Sequence, residues 1–219
     1  DLIAREVIRV LKGRFDNFPD DSSENRNAPF HEAFLKAFSH RLTKSVSDVP
    51  YFISLSSWLH GLNTTLGQTF FENTAHILSS GTKKKFEKPK IGRNQQQIIS
   101  DVLTNLKNGV REPNPEKESE LIDILIDEEV DGPKFIADNF IDDGELIEGI
   151  ELKTVKPNAS INRDEKQKIL VAKAFLRRIY PTRKVSFLIG FPFDPLSDSP
   201  TTSDKVRFMN SIVEFNKFF

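Results

Sequence analysis

Phe135-Ile136-Ala137-Asp138-Asn139-Phe140-Ile141-Asp142-Asp143-Gly144-Glu145-Leu146-Ile147-Glu148-Gly149-Ile150-Glu151-Leu152-Lys153 reads as two strands around a tight turn. Asp142-Asp143-Gly144 carries the turn signal, because Asp-Gly pairs supply the positive φ that short hairpin loops need. In the second strand Leu146, Ile150 and Leu152 alternate with polar or small residues. Period-two alternation sets Glu151 and Lys153 on one face and Leu152 on the other. With Asp143-Gly144 as a two-residue loop, Asp142 faces Glu145, and Asp138 lies opposite Gly149 and diagonal to Glu151. Diagonal neighbours on paired strands are about 7–8 Å apart or less, within reach of one shared cation. Gly149 is expected to leave open space in front of Asp138, whereas a three-residue loop would turn Asp138 to the opposite face.

Downstream, residues 154–163 read as a loop carrying Lys156-Pro157-Asn158. Residues 164–180 read as a helix with Ile169, Ala172, Phe175, Leu176 and Ile179 on its buried stripe. The strongly apolar stretch 185–191 is expected to be a central strand, and 204–218 a last helix. Upstream, 120–130 reads as a helix, and Pro113-Asn114-Pro115 as the boundary with a mostly helical region. That region opens with Ile3, Val7, Val10 and Leu11 on one face, and continues from Pro29 with Phe30, Phe34, Phe38 and Leu42 at spacing four. After Pro50, Ile53, Leu55, Trp58, Leu59 and Leu62 suggest a further helix, and 66–78 another. A basic loop over 81–92 precedes the helix of Ile98, Ile99, Val102, Leu103 and Leu106, which stops at Asn108-Gly109. The expectation is an α/β chain, with a helical region over 1–112 and an α/β core over 113–219.

The 219 residues, 29% of them charged, are rich enough in apolar side chains for a real core. No stretch of about 18 apolar residues is present, so a membrane-spanning helix is not expected. The first residues show neither the basic nor the apolar segment of a signal peptide. With no cysteine there is no disulfide scaffold, thiolate metal site or thiol nucleophile, in keeping with a cytoplasmic protein. The formal charge of −1 conceals an uneven distribution. Eight bases (Lys83, Lys84, Lys85, Lys88, Lys90, Arg93, Lys107, Arg111) face Glu87 and Asp101 over 82–111. Fifteen acids follow over 112–151 against Lys117 and Lys134, then ten bases over 152–184 against Asp164 and Glu165. An acidic centre between basic flanks suits a metal-dependent enzyme acting on a polyanion, although solvated helix faces produce such blocks too.

The chemistry follows from Asp138, Glu151 and Lys153. Mg²⁺ takes about six oxygens near 2.1 Å, usually with one or two carboxylates among them. Asp138 and Glu151 supply these, and the Leu152 carbonyl is placed to add a third oxygen. The cation would polarise a phosphodiester and acidify an attacking water. Lys153 would hold or deprotonate that water and offset charge on phosphorus. As a bare pattern, Asp, twelve residues, Glu-any-Lys occurs in many unrelated chains. Its context here is a strong turn, a following helix, an apolar strand and a basic segment directly after Lys153.

Strand, turn, Glu151-Leu152-Lys153-Thr154-Val155-Lys156-Pro157-Asn158, helix and strand resemble the catalytic core of the PD-(D/E)xK nucleases. Pro29-Phe30-His31-Glu32-Ala33-Phe34-Leu35, Leu62-Asn63-Thr64-Thr65-Leu66-Gly67-Gln68 and Arg93-Asn94-Gln95-Gln96-Gln97 resemble blocks of TdeIII-type restriction endonucleases. The resemblance implies a central mixed sheet flanked by helices and Mg²⁺-dependent cleavage of double-stranded DNA to 5′-phosphate and 3′-hydroxyl ends. It also implies a homodimer on a short, GC-rich interrupted palindrome of the GGNCC kind, and a cognate DNA methyltransferase. Ala137-Asp138 stands where the family has Pro-Asp, so Asp138 and Asp142 are both candidates for the first carboxylate.

In related nucleases a helix-borne Glu assists the main carboxylates, a role open to Glu32. Lys156, Asn158, Asn162 and Arg163 suit phosphates or base edges, and Arg93, Gln95 and Gln96 a helix start lying along DNA. The four histidines are expected to be structural. Rival readings are a structure-selective repair or recombination nuclease on the same core and a non-catalytic DNA-binding module. A more remote one is a glycoside hydrolase using Asp138 and Glu151, which leaves Lys153 without work.

Overall fold

The structure is a computed structural model describing residues 1–21, 49–154, 156–194, 197 and 204–219. Glu32 and the phenylalanine-rich helix expected from Pro29 lie outside the described residues.

Two compact units divide the chain, Asp1–Thr74 and Ala75–Phe219. In the first, α1 (Leu2–Phe15) begins at an Asp1 cap and α2 (Val49–Thr65) carries Pro50 in its opening turn, where a missing N–H costs nothing. Pro50 therefore starts the helix instead of interrupting it. Trp58 Nε1 donates to the Arg14 carbonyl at 2.9 Å, and Phe15 and Phe18 meet its ring edge-on. A single turn of π geometry (Leu66–Phe70) leads into α3 (Phe71–Ser79), which runs on into the second unit.

The second unit is built on a four-stranded mixed sheet of order β1-β4-β5-β6. Its strands are β1 (Thr82–Phe86), β4 (Phe135–Asp142), β5 (Leu146–Leu152) and β6 (Lys184–Gly190). β2 (Lys90–Gly92) and β3 (Glu129–Asp131) pair separately. The basic segment expected to be a loop thus supplies the edge strand β1, and its residues belong to the same unit as the hairpin. β6 is also an edge strand, parallel to β5, and only its Phe187 is fully buried; its apolar run had marked it as central. The connection between these parallel strands is the long helix α6 (Ala159–Ile179), the kind of crossover that parallel pairing requires.

α6 begins five residues earlier than its apolar stripe suggested, because the Asn158 side chain caps it by accepting from the Ile161 N–H. It packs with α4 (Arg93–Lys107), and Ile99, Val102, Leu103 and Leu106 join Leu170, Val171, Ala172 and Leu176 in one core with Phe135, Ala137, Phe140, Ile147 and Phe187. The helix expected over 120–130 is instead α5 (Pro115–Ile122), capped by Asn114 with Pro115 at its first position, so the Pro-Asn-Pro stretch starts a helix. At the C-terminal end, Glu214 at φ 56° splits the expected helix into α7 (Lys205–Asn210) and α8 (Phe215–Phe218).

Two departures from ideal strand pairing shape the hairpin. First, Phe140 pairs with Gly149 and Asp142 with Ile147, and the Asp143 N–H donates to the Leu146 carbonyl. The two-residue loop is therefore Gly144-Glu145, with positive φ at Gly144, the first central position, as in II′ turns. Asp143 braces it by accepting from the Glu145 and Leu146 amides. Sliding a two-residue loop by one position moves the register by two, and the β4–β5 pairs run from Asp142 with Ile147 to Asn139 with Ile150, so Asp138 does not pair with Gly149. Gly149 meets the Phe187 ring, where a Cβ would collide, so its missing side chain makes room for packing and leaves no open space before Asp138.

Second, Thr82 pairs with Phe140 but Lys84 with Ala137, so Lys83 alone faces Asp138 and Asn139. This β-bulge lets Ala137 and Phe140, three apart, both enter the core. Strict alternation would have turned one of them outward.

Candidate functional site

The end of the hairpin gathers the three residues on which the expected chemistry rests. Asp138 sits at the bulge, where Oδ2 accepts from the Leu152 N–H at 2.9 Å and Oδ1 lies 3.5 Å from Lys83 Nζ. The β4–β5 pairing ends at Asn139 and Ile150, and the bond from the Leu152 N–H brings the Asp138 carboxylate beside the Glu151-Leu152-Lys153 segment. Asp142 pairs with Ile147 at the far end of the hairpin, accepts from Gly144 and forms an ion pair with Arg183. Of the two candidates for the first carboxylate, only Asp138 therefore stands beside Glu151-Leu152-Lys153.

Glu151 follows Ile147 and Gly149 on the face covered by α6, and it is buried. There it meets a second acid–base pair missing from the sequence expectation. Glu151 Oε1 is 2.7 Å from Lys153 Nζ and 2.9 Å from Lys168 Nζ, while Glu165 lies 2.8 Å from Lys153 and 3.0 Å from Lys168. Two carboxylates and two ammonium groups thus form a closed, mostly buried square whose charges cancel. Burial drives the Lys153 ammonium down, but its hydrogen bonds and charge attraction to Glu151 and Glu165 outweigh that and leave it above the usual lysine range. Lys153 is held as a cation.

Glu165 and Lys168 had a sequence signal. Both lie three or four residues from Ile169 or Ala172 on a helix whose buried stripe those residues define, and charges on such a stripe need partners. Nearby, Lys166 and Glu118 form a second ion pair with almost no solvent exposure (3% and 1%), tying α6 to α5. Lys173 is pushed below its usual value by burial first, then by Arg177 and Lys166.

The donor set suits a hard cation. Asp138, Glu151 and the Leu152 carbonyl offer oxygen only, and a cation bound to Glu151 would share that carboxylate with the Lys153 and Lys168 ammonium groups on its Oε1. Among the described residues no group of three or more His, Cys, Asp or Glu side chains is arranged around a metal ion. Asp138 and Glu151 are two carboxylates, and Mg²⁺ commonly takes one or two.

The expected DNA contacts separate by exposure. Gln95 is buried: it accepts from the Gly92 N–H at 2.9 Å and donates to the Ile122 carbonyl at 2.7 Å, joining α4 to α5. Asn162 is 0% exposed and donates to the Val213 carbonyl. Both side chains are turned inward, Gln95 to the start of α4 and to Ile122, and Asn162 because α6 begins five residues earlier than its apolar stripe suggested. Asn158 is used as a helix cap and Arg93 pairs with Glu128 at the surface. Lys156, Arg163 and Gln96 are exposed. His76, expected to be structural, places Nε2 2.7 Å from the Asp138 carbonyl.

Comparison with known proteins gives two matches. The family model "Type II restriction endonuclease, HinfI" matches residues 1–216. The type II restriction enzyme MjaII of Methanocaldococcus jannaschii is 46% identical over 223 aligned positions, which cover 99% of this chain and 60% of that protein. The chain thus spans less than two thirds of the length of this curated relative. No solved structure matches.

Proposed function

The chain belongs to the HinfI family of type II restriction endonucleases, and from that premise we propose that it cuts double-stranded DNA at a short palindrome by Mg²⁺-dependent phosphodiester hydrolysis. One observation carries the assignment of the site. Asp138, Leu152, Glu151 and Lys153 meet at the end of one hairpin, with Asp138 bonded to the Leu152 amide and Lys153 to Glu151. Strand, hairpin, helix and parallel strand in this order support a PD-(D/E)xK core.

Asp138 and Glu151 would hold the cation with the Leu152 carbonyl. When bound, it polarises the scissile phosphate and lowers the pKa of the attacking water. Lys153, kept as an ammonium by Glu151 and Glu165, orients that water or donates to the phosphate as negative charge accumulates. The proton lost by water leaves through solvent, and in-line displacement ends with a 5′-phosphate and a 3′-hydroxyl. Lys156 and Arg163, exposed near the start of α6, are suited to DNA phosphates, as is Gln96 on α4.

A palindrome is read by a two-fold protein, each subunit cutting one strand, so a homodimer belongs to the proposal. The N-terminal helical region would contribute DNA contacts and the dimer interface. A GC-rich interrupted site of the GGNCC kind is supported by the TdeIII-like sequence blocks. Such an enzyme works in a prokaryotic cytoplasm beside a methyltransferase that protects the host's own sites.

The test is incubation with a sequenced linear phage DNA in Mg²⁺, beside Glu151→Ala and an EDTA control. Discrete fragments lost in both controls are expected, with the site given by end-sequencing. A smear lost in both would replace this reading with a structure-selective or non-specific nuclease. DNA binding without cleavage, unaltered by Glu151→Ala, would replace it with a binding module.

A further inference from the structure

Behind the hairpin, the last turns of α3 hold both residues of the β-bulge. A bulge leaves main-chain groups without ladder partners, and here α3 supplies one for Asp138 and holds Asn139 by its side chain. His76 Nε2 lies 2.7 Å from the Asp138 carbonyl oxygen, a separation at which the ring N–H donates to it. One turn later, Ser79 Oγ accepts from the side-chain Nδ2 of Asn139, which is 2% exposed, at 3.0 Å and from the Gly81 N–H at 3.1 Å, while donating to the Ala75 carbonyl. Ser80, at φ 56°, and Gly81 then bring the chain so close to Asn139 that a Cβ on Gly81 would collide with its side chain. The helix, the turn and the bulge are thus built against one another.

We propose that His76 is a positioning residue for the Asp138 carboxylate. The proposal rests on the reading of Asp138 as a metal-binding carboxylate. A carboxylate on a regular strand is aimed by the pleat, but one on a bulge is aimed by whatever holds the bulge. His76 pins the Asp138 main chain by its carbonyl, which leaves the side chain pointing along the sheet to the Leu152 N–H. Releasing that carbonyl lets the bulge relax, and the carboxylate loses its amide partner and its place beside Leu152. Groups that orient ligands in this way typically govern metal affinity or activity by about 10–100-fold.

The experiment uses the 219-residue chain as wild type, His76→Leu, His76→Gln and Asp138→Ala. Three quantities are read: the hydrogen-exchange rate of the Leu152 amide by NMR without metal, Ca²⁺ affinity by calorimetry, and single-turnover DNA cleavage in Mg²⁺. His76→Leu is expected to speed Leu152 exchange as Asp138→Ala does, and to weaken Ca²⁺ binding about tenfold or more. His76→Gln, whose side-chain N–H₂ sits near the Nε2 position, is expected to restore both within about threefold, which a role in packing alone would not produce. Cleavage should follow Ca²⁺ affinity. Unchanged Leu152 exchange and Ca²⁺ affinity in His76→Leu, with Asp138→Ala impaired in both, would overturn the role of His76 and leave the site reading standing. Full Ca²⁺ binding and cleavage by Asp138→Ala would overturn the site reading and this proposal with it. Should His76→Leu not fold, failure of the folded His76→Gln to match wild-type Leu152 exchange would also overturn it.

Discussion

The Asp138 carboxylate accepts a hydrogen bond from the Leu152 main-chain N–H at 2.9 Å, just beyond the last pair of the hairpin, Asn139 with Ile150. That bond ties an acidic side chain to the backbone lying between the other acid, Glu151, and Lys153.

Lys153 shares two buried carboxylates with Lys168, so its removal leaves the square with one positive charge against two negative ones. Lys153→Ala is expected to slow single-turnover cleavage by about 10²–10³-fold, the usual cost of one lost charge-stabilising donor. DNA affinity in Ca²⁺, measured by mobility shift, should change little. Arg at this position should not restore the rate, because a planar fork does not replace a compact ammonium between two carboxylates.

Exposure separates the basic and amide residues around α4 and α6 into two groups. Lys156→Ala and Arg163→Ala should each weaken DNA binding and lower the slope of log affinity against log salt by about one. Gln95→Ala and Asn162→Ala should instead lower unfolding free energy by about 1–3 kcal/mol, since each removes a buried side-chain amide that is bonded to a backbone carbonyl. Salt titrations of DNA binding beside urea unfolding distinguish the groups.

Lys166 and Glu118 are paired out of contact with solvent. Glu118→Ala alone strands a buried ammonium and is expected to cost about 3–5 kcal/mol in urea unfolding, whereas Lys166→Met with Glu118→Leu should come within about 1 kcal/mol of wild type or exceed it. A large loss in the double variant would show that the pair provides more than mutual neutralisation.

Glu6 bonds Arg9 and Asn73, and with burial opposing them these partners lower its carboxyl from 4.5 to about 2. A pKa below its unfolded value stabilises the fold fully above about pH 4.5, and this contribution fades as pH falls toward 2. Glu6→Gln should therefore unfold with a weaker pH dependence between pH 4.5 and 2, followed by circular dichroism during acid titration.

Much of the site is legible in the chain because it is local. Glu151 and Lys153 share a face by alternation alone, and Asp143-Gly144 marks the turn to within one residue. Two central features are not local. Which pair of residues forms the loop depends on whether Gly144 or Asp143 takes the first central position, and the Asp143 side chain decides it by accepting from Glu145 and Leu146. The bulge depends on a third strand, β1, which its run of lysines disguised as a loop. β6 was misplaced for a similar reason, since apolar content reports burial and not a strand's place in the sheet.

By itself the amino-acid sequence determined the elements with strong periodicity and the face on which Glu151 and Lys153 lie. Backbone geometry repeats every two or 3.6 residues whatever the rest of the chain does. Only the tertiary structure decided that Asp138 bonds the Leu152 amide, that Glu165 and Lys168 close the square of charges, and that His76 reaches the Asp138 carbonyl. Those partners are 12 to 62 residues apart in the chain, and their meeting is decided by which apolar faces pack together, α6 on the sheet and Phe187 over Gly149, a choice no local pattern encodes.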